Sequence, residues 1–196
     1  MKKIYIVLIV LAIIVFASFS WIKGQYNGFV TLDEEVSTAW SNVENQYQRR
    51  LDLIPNLVNT VKGYAEHEKE TLSAVIEARS KATQIQLKVE DLNENSLKKL
   101  NSVQGELSSA LSRLMMVAER YPDLKANTNF RDLQVQLEGT ENRIAVERRN
   151  FNNMAKTYNT KIRQFPSNIL ASMFGFEKKS YFEASAGAES APKVEF

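Results

Sequence analysis

The chain has 196 residues, no cysteine, one histidine and a formal net charge of +2, so it offers no disulfide framework, no thiol nucleophile and no histidine-bearing ligand set of the helical di-iron kind. Its 25 basic and 23 acidic side chains are dispersed along the sequence, which excludes the massed basic footprint of a nucleic-acid binder. Seven glycines form no phosphate-cradling loop, and no Ser/His/Asp or Cys/His arrangement stands out, so the composition argues against an enzyme.

Lys2 and Lys3 precede a run from Ile4 to Ile22, nineteen residues without a charged side chain. That is close to the roughly 20 residues a helix needs to cross a bilayer core, and Trp21 at its far end suits the interfacial ring. A cleaved signal peptide competes, with Ser18 and Ser20 near a possible cut. The length of the run and the lack of an Ala-x-Ala site favour an uncleaved anchor over residues 1–23. Two lysines lie before the span and only Lys23 close after it, so the positive-inside bias places the amino terminus in the cytoplasm and the remainder outside. Residues 24–30 hold two glycines and an asparagine and read as a hinge, followed by a capping box from Thr31 to Glu34. Phe29 and Leu32 already lie on the stripe of the next helix, so an unbroken helix out of the membrane is the alternative.

From there the pattern is helical. Val36, Trp40, Val43, Tyr47, Leu51, Ile54, Val58, Val61 and Ala65 recur about every 3.6 residues, the turn of a straight α-helix. They predict a first soluble helix over about 32–65, with Pro55 deep inside it. There the ring removes a backbone donor and crowds the Leu51 carbonyl, placing a kink. A second, outer helix is expected over 70–89 with Leu72, Val75, Ile76, Ala82 and Val89 on one side. Asp91 with Glu94 reads as the next start, and Leu97, Leu100, Val103, Leu107, Leu111, Leu114, Ala118 and Tyr121 define a third helix that stops before Pro122. Asn127 or Asn129 caps a fourth, whose stripe runs from Phe130 through Leu133, Leu137, Thr140, Ile144, Phe151, Met154, Tyr158 and Ile162 to Phe165. Short connections then predict an all-α fold, a transmembrane helix followed by an antiparallel up-down four-helix bundle over 31–165 with two long helices. Residues 166–182 form a short apolar segment, with Ile169, Leu170, Met173, Phe174 and Phe176 either capping the bundle or docking on a membrane or partner. Residues 183–196 are small, polar and expected to be disordered.

Polarity is concentrated at two places, near the middle of each long helix. One tract holds Arg49, Arg50, Asp52 and Asn56; the other holds Glu141, Asn142, Arg143 and Arg148. Each reads either as a solvated face or as half of a network, with Arg50 meeting Glu141 or Asp52 meeting Arg143 if the helices pack together. A buried pair of that kind sets register more than it stabilises, because desolvation offsets most of the attraction. His67, between Glu66 and Glu68, is most simply a solvated histidine.

Several pieces match one family in order: Tyr26-Asn27, the run AWSNVENQYQRRLDLIPNLVNTVKGYAEHE, AERYPDLKAN, FRDLQVQLEGTENRIAVERRNFN, Tyr158-Asn159, Gly175-Phe176 and Tyr181-Phe182. With these the chain resembles the LemA family of bacterial membrane-anchored helical proteins. The resemblance implies a four-helix bundle behind one amino-terminal membrane helix, and no catalytic residue. It also implies an outside amino terminus with a cytoplasmic bundle, the reverse of the lysine count. Some members are encoded beside a membrane zinc metalloprotease, and a branch is associated with magnetosome membranes. The expected function is a non-enzymatic, membrane-anchored scaffold of the bacterial cell envelope that binds lipid through its first helix and a protein partner or itself through its bundle. An adaptor or regulator of a membrane protease is the alternative; no cofactor, metal, nucleic acid or small-molecule substrate is expected. An enzyme using carboxylates such as Glu141 or Asp52 would lack any positioned nucleophile.

Overall fold

The computed structural model describes residues 2–65 and 67–183; the tail expected to be disordered, 183–196, lies outside them except for its first residue. Among the described residues there are helices and connecting segments and no strand. The helices are α1 (Lys2–Lys62), α2 (Lys69–Thr83), α3 (Glu94–Ala118), α4 (Pro122–Ala126), α5 (Thr128–Arg163) and α6 (Ser167–Met173), with a 3-10 turn at Val89–Asp91. The count is six rather than an anchor plus four. The membrane span and the first soluble helix are one element, and α4 and α6 are short additions.

Residues 24–30 do not break α1. Gly24 and Gly28 are helical positions with nothing near where a Cβ would stand, so each merely costs about 1 kcal/mol of helix propensity. Thr31 caps nothing: its hydroxyl donates to the Asn27 carbonyl at 3.0 Å, the back-bond of a threonine inside a helix.

The chain divides into two compact units, one of the residues up to Ala39 with Asn153–Lys179, the other of Trp40–Asn152 with the described residues from Ser180 on. The second unit contains the larger core. Its stripe from Trp40 to Val61 on α1, and Ala65 just past the helix end, are buried at every expected position, with Ile54 and Val61 fully so. From Leu51 onward these side chains join Leu72, Val75, Ala78 and Ala82 of α2, Leu107, Ala110 and Leu114 of α3, Leu124 of α4, and Phe130 and Leu137 of α5. Ile76 is more than half exposed, and Ala78 takes the inward place expected of it.

Several boundaries differ from expectation for identifiable reasons. Helix α2 ends at Thr83 because Ile85 and Leu87 are half-buried while Gln84 and Gln86 are exposed, an alternation that suits extended chain rather than helix. The Leu87 carbonyl accepts from the Trp40 indole nitrogen at 3.0 Å. The start of α3 is capped by Asn93, not Asp91, through a reciprocal box with Ser96. Pro122 occupies the first turn of α4, where its missing N–H costs nothing, and Asn127 caps α5 by accepting from the Phe130 amide at 3.0 Å.

Pro55 sits inside α1 without ending it. Its missing N–H leaves the Leu51 carbonyl without a helical donor, and Arg79 of α2 donates its Nε to that oxygen at 2.9 Å. The proline's deficit is met by a second helix. Arg79→Met is therefore expected to cost about 1–2 kcal/mol in the wild-type chain. It should cost less than half as much in a Pro55→Ala background, where the restored amide serves Leu51. Equal costs in the two backgrounds, measured by thermal unfolding, would refute the pairing.

In the first unit, Phe29, Val36 and Ala39 of α1, Ala155, Tyr158 and Ile162 of α5, and Leu170 and Ala171 of α6 are buried. Phe165, expected to continue the α5 stripe, is 82% exposed, because the helix ends at Arg163. Helix α6 closes with Gly175 at φ 77°. The Phe176 amide donates to Ala171 O at 2.9 Å and the Gly175 amide to Ser172 O at 3.3 Å, the bond pattern of a Schellman cap. A side chain at Gly175 would be strained in that left-handed conformation.

Candidate interaction site

The second unit gathers its buried polarity around Arg50, which is 2% exposed. Its Nη1 donates to a Glu141 carboxylate oxygen at 2.6 Å and to the Ser108 hydroxyl at 3.2 Å, and its Nη2 donates to the Gln104 side-chain oxygen. Three helices thus meet at one guanidinium: α1 supplies the cation, α3 two neutral acceptors, and α5 the carboxylate. The planar fork of arginine suits this arrangement, since its donors diverge at fixed angles. Glu141 itself is more than half exposed, so its outer oxygen remains hydrated and the pair is only half desolvated. The arginine also lies 5.8 Å from the Tyr47 ring centroid. The Tyr47 hydroxyl and Arg50 Nε are buried without a protein partner. Burial pushes the Tyr47 hydroxyl up, Arg148 and Arg50 pull it down, and Glu141 pushes it up again.

The remaining polar residues of the two tracts do not join this node. Asp52 is exposed and accepts from Gln48 on its own helix at 2.7 Å; it does not meet Arg143, because it and Arg143 both face outward. Arg49 and Asn142 are exposed as well. Asn56 lines a shallow hollow with Asn59, Asp132 and Gln136. Arg148 lies over the Phe182 ring, 4.4 Å from its centroid.

Phe182 belongs to an aromatic group that the sequence did not single out. Its ring stacks on Trp40 at 5.9 Å and meets Phe151 edge-on at 5.5 Å, and Trp40 and Phe151 stand 5.7 Å apart. Asn152 fixes the segment by two bonds at 2.9 Å, donating to Phe182 O and accepting from its amide. In the first unit Asn159 does the same for Lys179, at 2.8 and 2.9 Å. Each asparagine amide imitates a strand partner, since one side chain carries both a donor and an acceptor. The only hint in the sequence was that Asn152, Asn159 and Phe182 fall within the matching pieces. Beside Trp40, a hollow of about 560 Å³ is lined by Glu44, Tyr47, Leu87, Lys88 and Gln104 among others.

In the first unit Lys179 pairs with Asp33 at 2.8 Å and lies 5.5 Å from the Tyr158 ring centroid. Tyr158 is 1% exposed; burial, then Asp33 and Glu177, push its hydroxyl up to about 12. The folded chain holds this proton more tightly than the unfolded chain, whose tyrosine ionises near 10. The contribution is therefore complete below pH 10 and is lost as pH rises from there toward 12. Alkaline difference spectroscopy is expected to show a late tyrosine step near pH 12 that Tyr158→Phe removes; an unchanged titration would refute this.

The five apolar residues of the expected docking segment divide. Leu170 is buried and Phe176 half-buried, whereas Ile169, Met173 and Phe174 are exposed. At the other end of α1, the large apolar residues from Ile4 to Phe19 are each half or more exposed, Trp21 is exposed and Ile22 half-buried.

A helical chain with one helix apolar and long enough to cross a bilayer, and with its polar side chains spent on holding helices and a terminal segment together, has the make-up of an anchored helical module. The LemA family profile matches residues 39–196, and the chain belongs to that family. It is 28% identical over 204 aligned positions to magnetosome protein MamQ 2 of Paramagnetospirillum magneticum, covering 95% of this chain and 75% of that one. It is 32% identical to magnetosome protein MamQ of Magnetospirillum gryphiswaldense, over 83% of this chain and 66% of the relative. To protein LemA of Metamycoplasma hominis it is 28% identical, over 83% and 70%.

Proposed function

We propose that the protein is a non-enzymatic, single-pass membrane protein whose helical part acts as a scaffold, assembling with a second copy or another envelope protein. The observation that carries this reading is the fully exposed apolar start of α1, which has no protein cover and in water would leave its whole span unburied. The long helices α1, α3 and α5 are read as the frame of an antiparallel up-down bundle, with α2 laid against α3. The relatives named as magnetosome proteins support a role tied to a membrane structure. The lysine balance about the span supports reading the bundle as outside the cytoplasm, with a cytoplasmic bundle as the alternative. Carbonate-washed membranes are expected to retain the full chain and to lose a variant lacking residues 1–23; equal extraction of both would refute the anchor. Protease added to intact cells should cut the bundle, and protection until lysis would put it in the cytoplasm. In-membrane crosslinking that yields monomer alone would refute assembly.

A further inference from the structure

Helix α6 stands where the membrane span ends. The Ser167 hydroxyl, at its first residue, donates to the Gln25 side-chain oxygen at 3.0 Å. Phe174, just past its last residue, meets Tyr26 edge-on at 5.0 Å. The two anchoring residues are neighbours on α1, about 1.5 Å apart along its axis, while α6 is about 10 Å long. A helix whose two ends meet another at one level crosses it rather than running beside it. Gln25 lies three residues beyond Ile22, the last of the uncharged run, or about 5 Å along the axis.

The exposed side of α6 carries two large apolar residues, Ile169 and Met173, beside the small polar Asn168 and Ser172. Ser167, Leu170 and Ala171 are buried, but Ile169 is 59% and Met173 64% exposed, with Phe165 and Phe174 also exposed at its two ends. Other exposed large apolar residues of the described soluble part, such as Ile76, Met116 and Val135, are scattered, as is ordinary for a protein surface. Four within ten positions, beside a bilayer-length apolar helix, are not. The flanks carry Lys161, Arg163 and Lys178 against Glu177, with Lys23 following the span, the charge that suits a phosphate-bearing headgroup layer; Lys179 is already paired with Asp33.

We propose that α6 is a second membrane contact, lying in the interfacial layer of the bilayer that α1 crosses with Ile169 and Met173 turned into it. The crossing of α1 by α6 lays the short helix in the membrane plane when α1 stands along the normal. The exposed aromatic and aliphatic side chains then enter the acyl boundary while the lysines and arginine meet headgroups. This inference rests on the membrane-spanning reading of α1.

The cysteine-free sequence permits a direct test. The variants Ile13→Cys, Val135→Cys, Ile169→Cys and Met173→Cys, each nitroxide-labelled in the full chain, are reconstituted into phosphatidylcholine–phosphatidylglycerol vesicles. Collision with oxygen and with a water-soluble nickel chelate is then measured. Labels at 169 and 173 are expected to resemble 13, with several-fold less nickel access than 135 and raised oxygen access. Nickel access at 169 and 173 equal to that at 135, with 13 shielded, overturns the second contact and leaves the span standing. Nickel access at 13 overturns both. Labels at 169 and 173 shielded from both reagents, with spin–spin broadening, would assign the face to a second copy and overturn the lipid contact.

Discussion

Arg50→Ala is expected to lower stability by about 3 kcal/mol. The change opens a cavity among three helices and strips the Gln104 oxygen and Ser108 hydroxyl of their donor. Glu141, more than half exposed, keeps its hydration and adds little of its own. Arg50→Met retains the aliphatic stem and should cost clearly less, because only the polar bonds are lost. Glu141→Gln keeps the geometry but weakens the charge-assisted bond, for an expected loss of about 1–2 kcal/mol. The informative variant is Arg50→Met with Gln104→Leu, which removes donor and acceptor together. If the node serves register more than stability, this pair should recover most of the single-variant loss. Thermal unfolding of the full chain in mild detergent, followed by circular dichroism, measures all four. A pair that costs as much as Arg50→Met alone would show that the polar bonds themselves are net stabilising.

Phe151→Ala is expected to be the most damaging single truncation, at about 3–5 kcal/mol. The residue is fully buried, and its ring contacts both Trp40 and Phe182, so the space it leaves has two large neighbours that cannot close it. Phe182→Ala removes a ring of the same size from the same group but should cost less. Its segment lies at the end of the described chain and can leave the surface without unfolding a helix. The two variants should therefore differ in kind. Phe151→Ala lowers the midpoint of global unfolding, whereas Phe182→Ala speeds tryptic cleavage after Lys178 and Lys179 with little change in helical signal. A comparable global loss from both would mean that the terminal segment is integral to the core.

The two variants also mark where sequence reasoning succeeds and fails. Phe151 is legible because α5 repeats its apolar residues at helical spacing, as α1 does from Val36 to Val61. Periodicity reports which face is buried and is blind to what covers it. Phe182 stands in extended chain with no period of its own, and its place is set by two bonds to Asn152, which depend on tertiary structure alone. The Arg50 node divides the same way. Two mid-helix polar tracts offer Arg50 and Glu141 as partners, but Gln104 and Ser108 sit on the face of α3, and their approach depends on a helix register that no spacing encodes. The apolar residues after Thr83 invite a longer α2, but the alternation of Ile85 and Leu87 already changes the period there. The exposed Phe165 was assigned to a stripe that a turn at Pro166 cuts short.

Pro55 makes the helix it interrupts depend on a neighbour. A proline inside a helix ordinarily marks a joint, since the unbonded carbonyl lets the two halves bend at little cost. Here the Leu51 oxygen is held by Arg79, and both Ile54 and Leu57 beside the proline are fully buried. The angle at this point is set by α2 and is not free to vary. The amides around Pro55 should accordingly exchange with solvent no faster than those one turn away, and what resembles a hinge in the sequence behaves as a bracket.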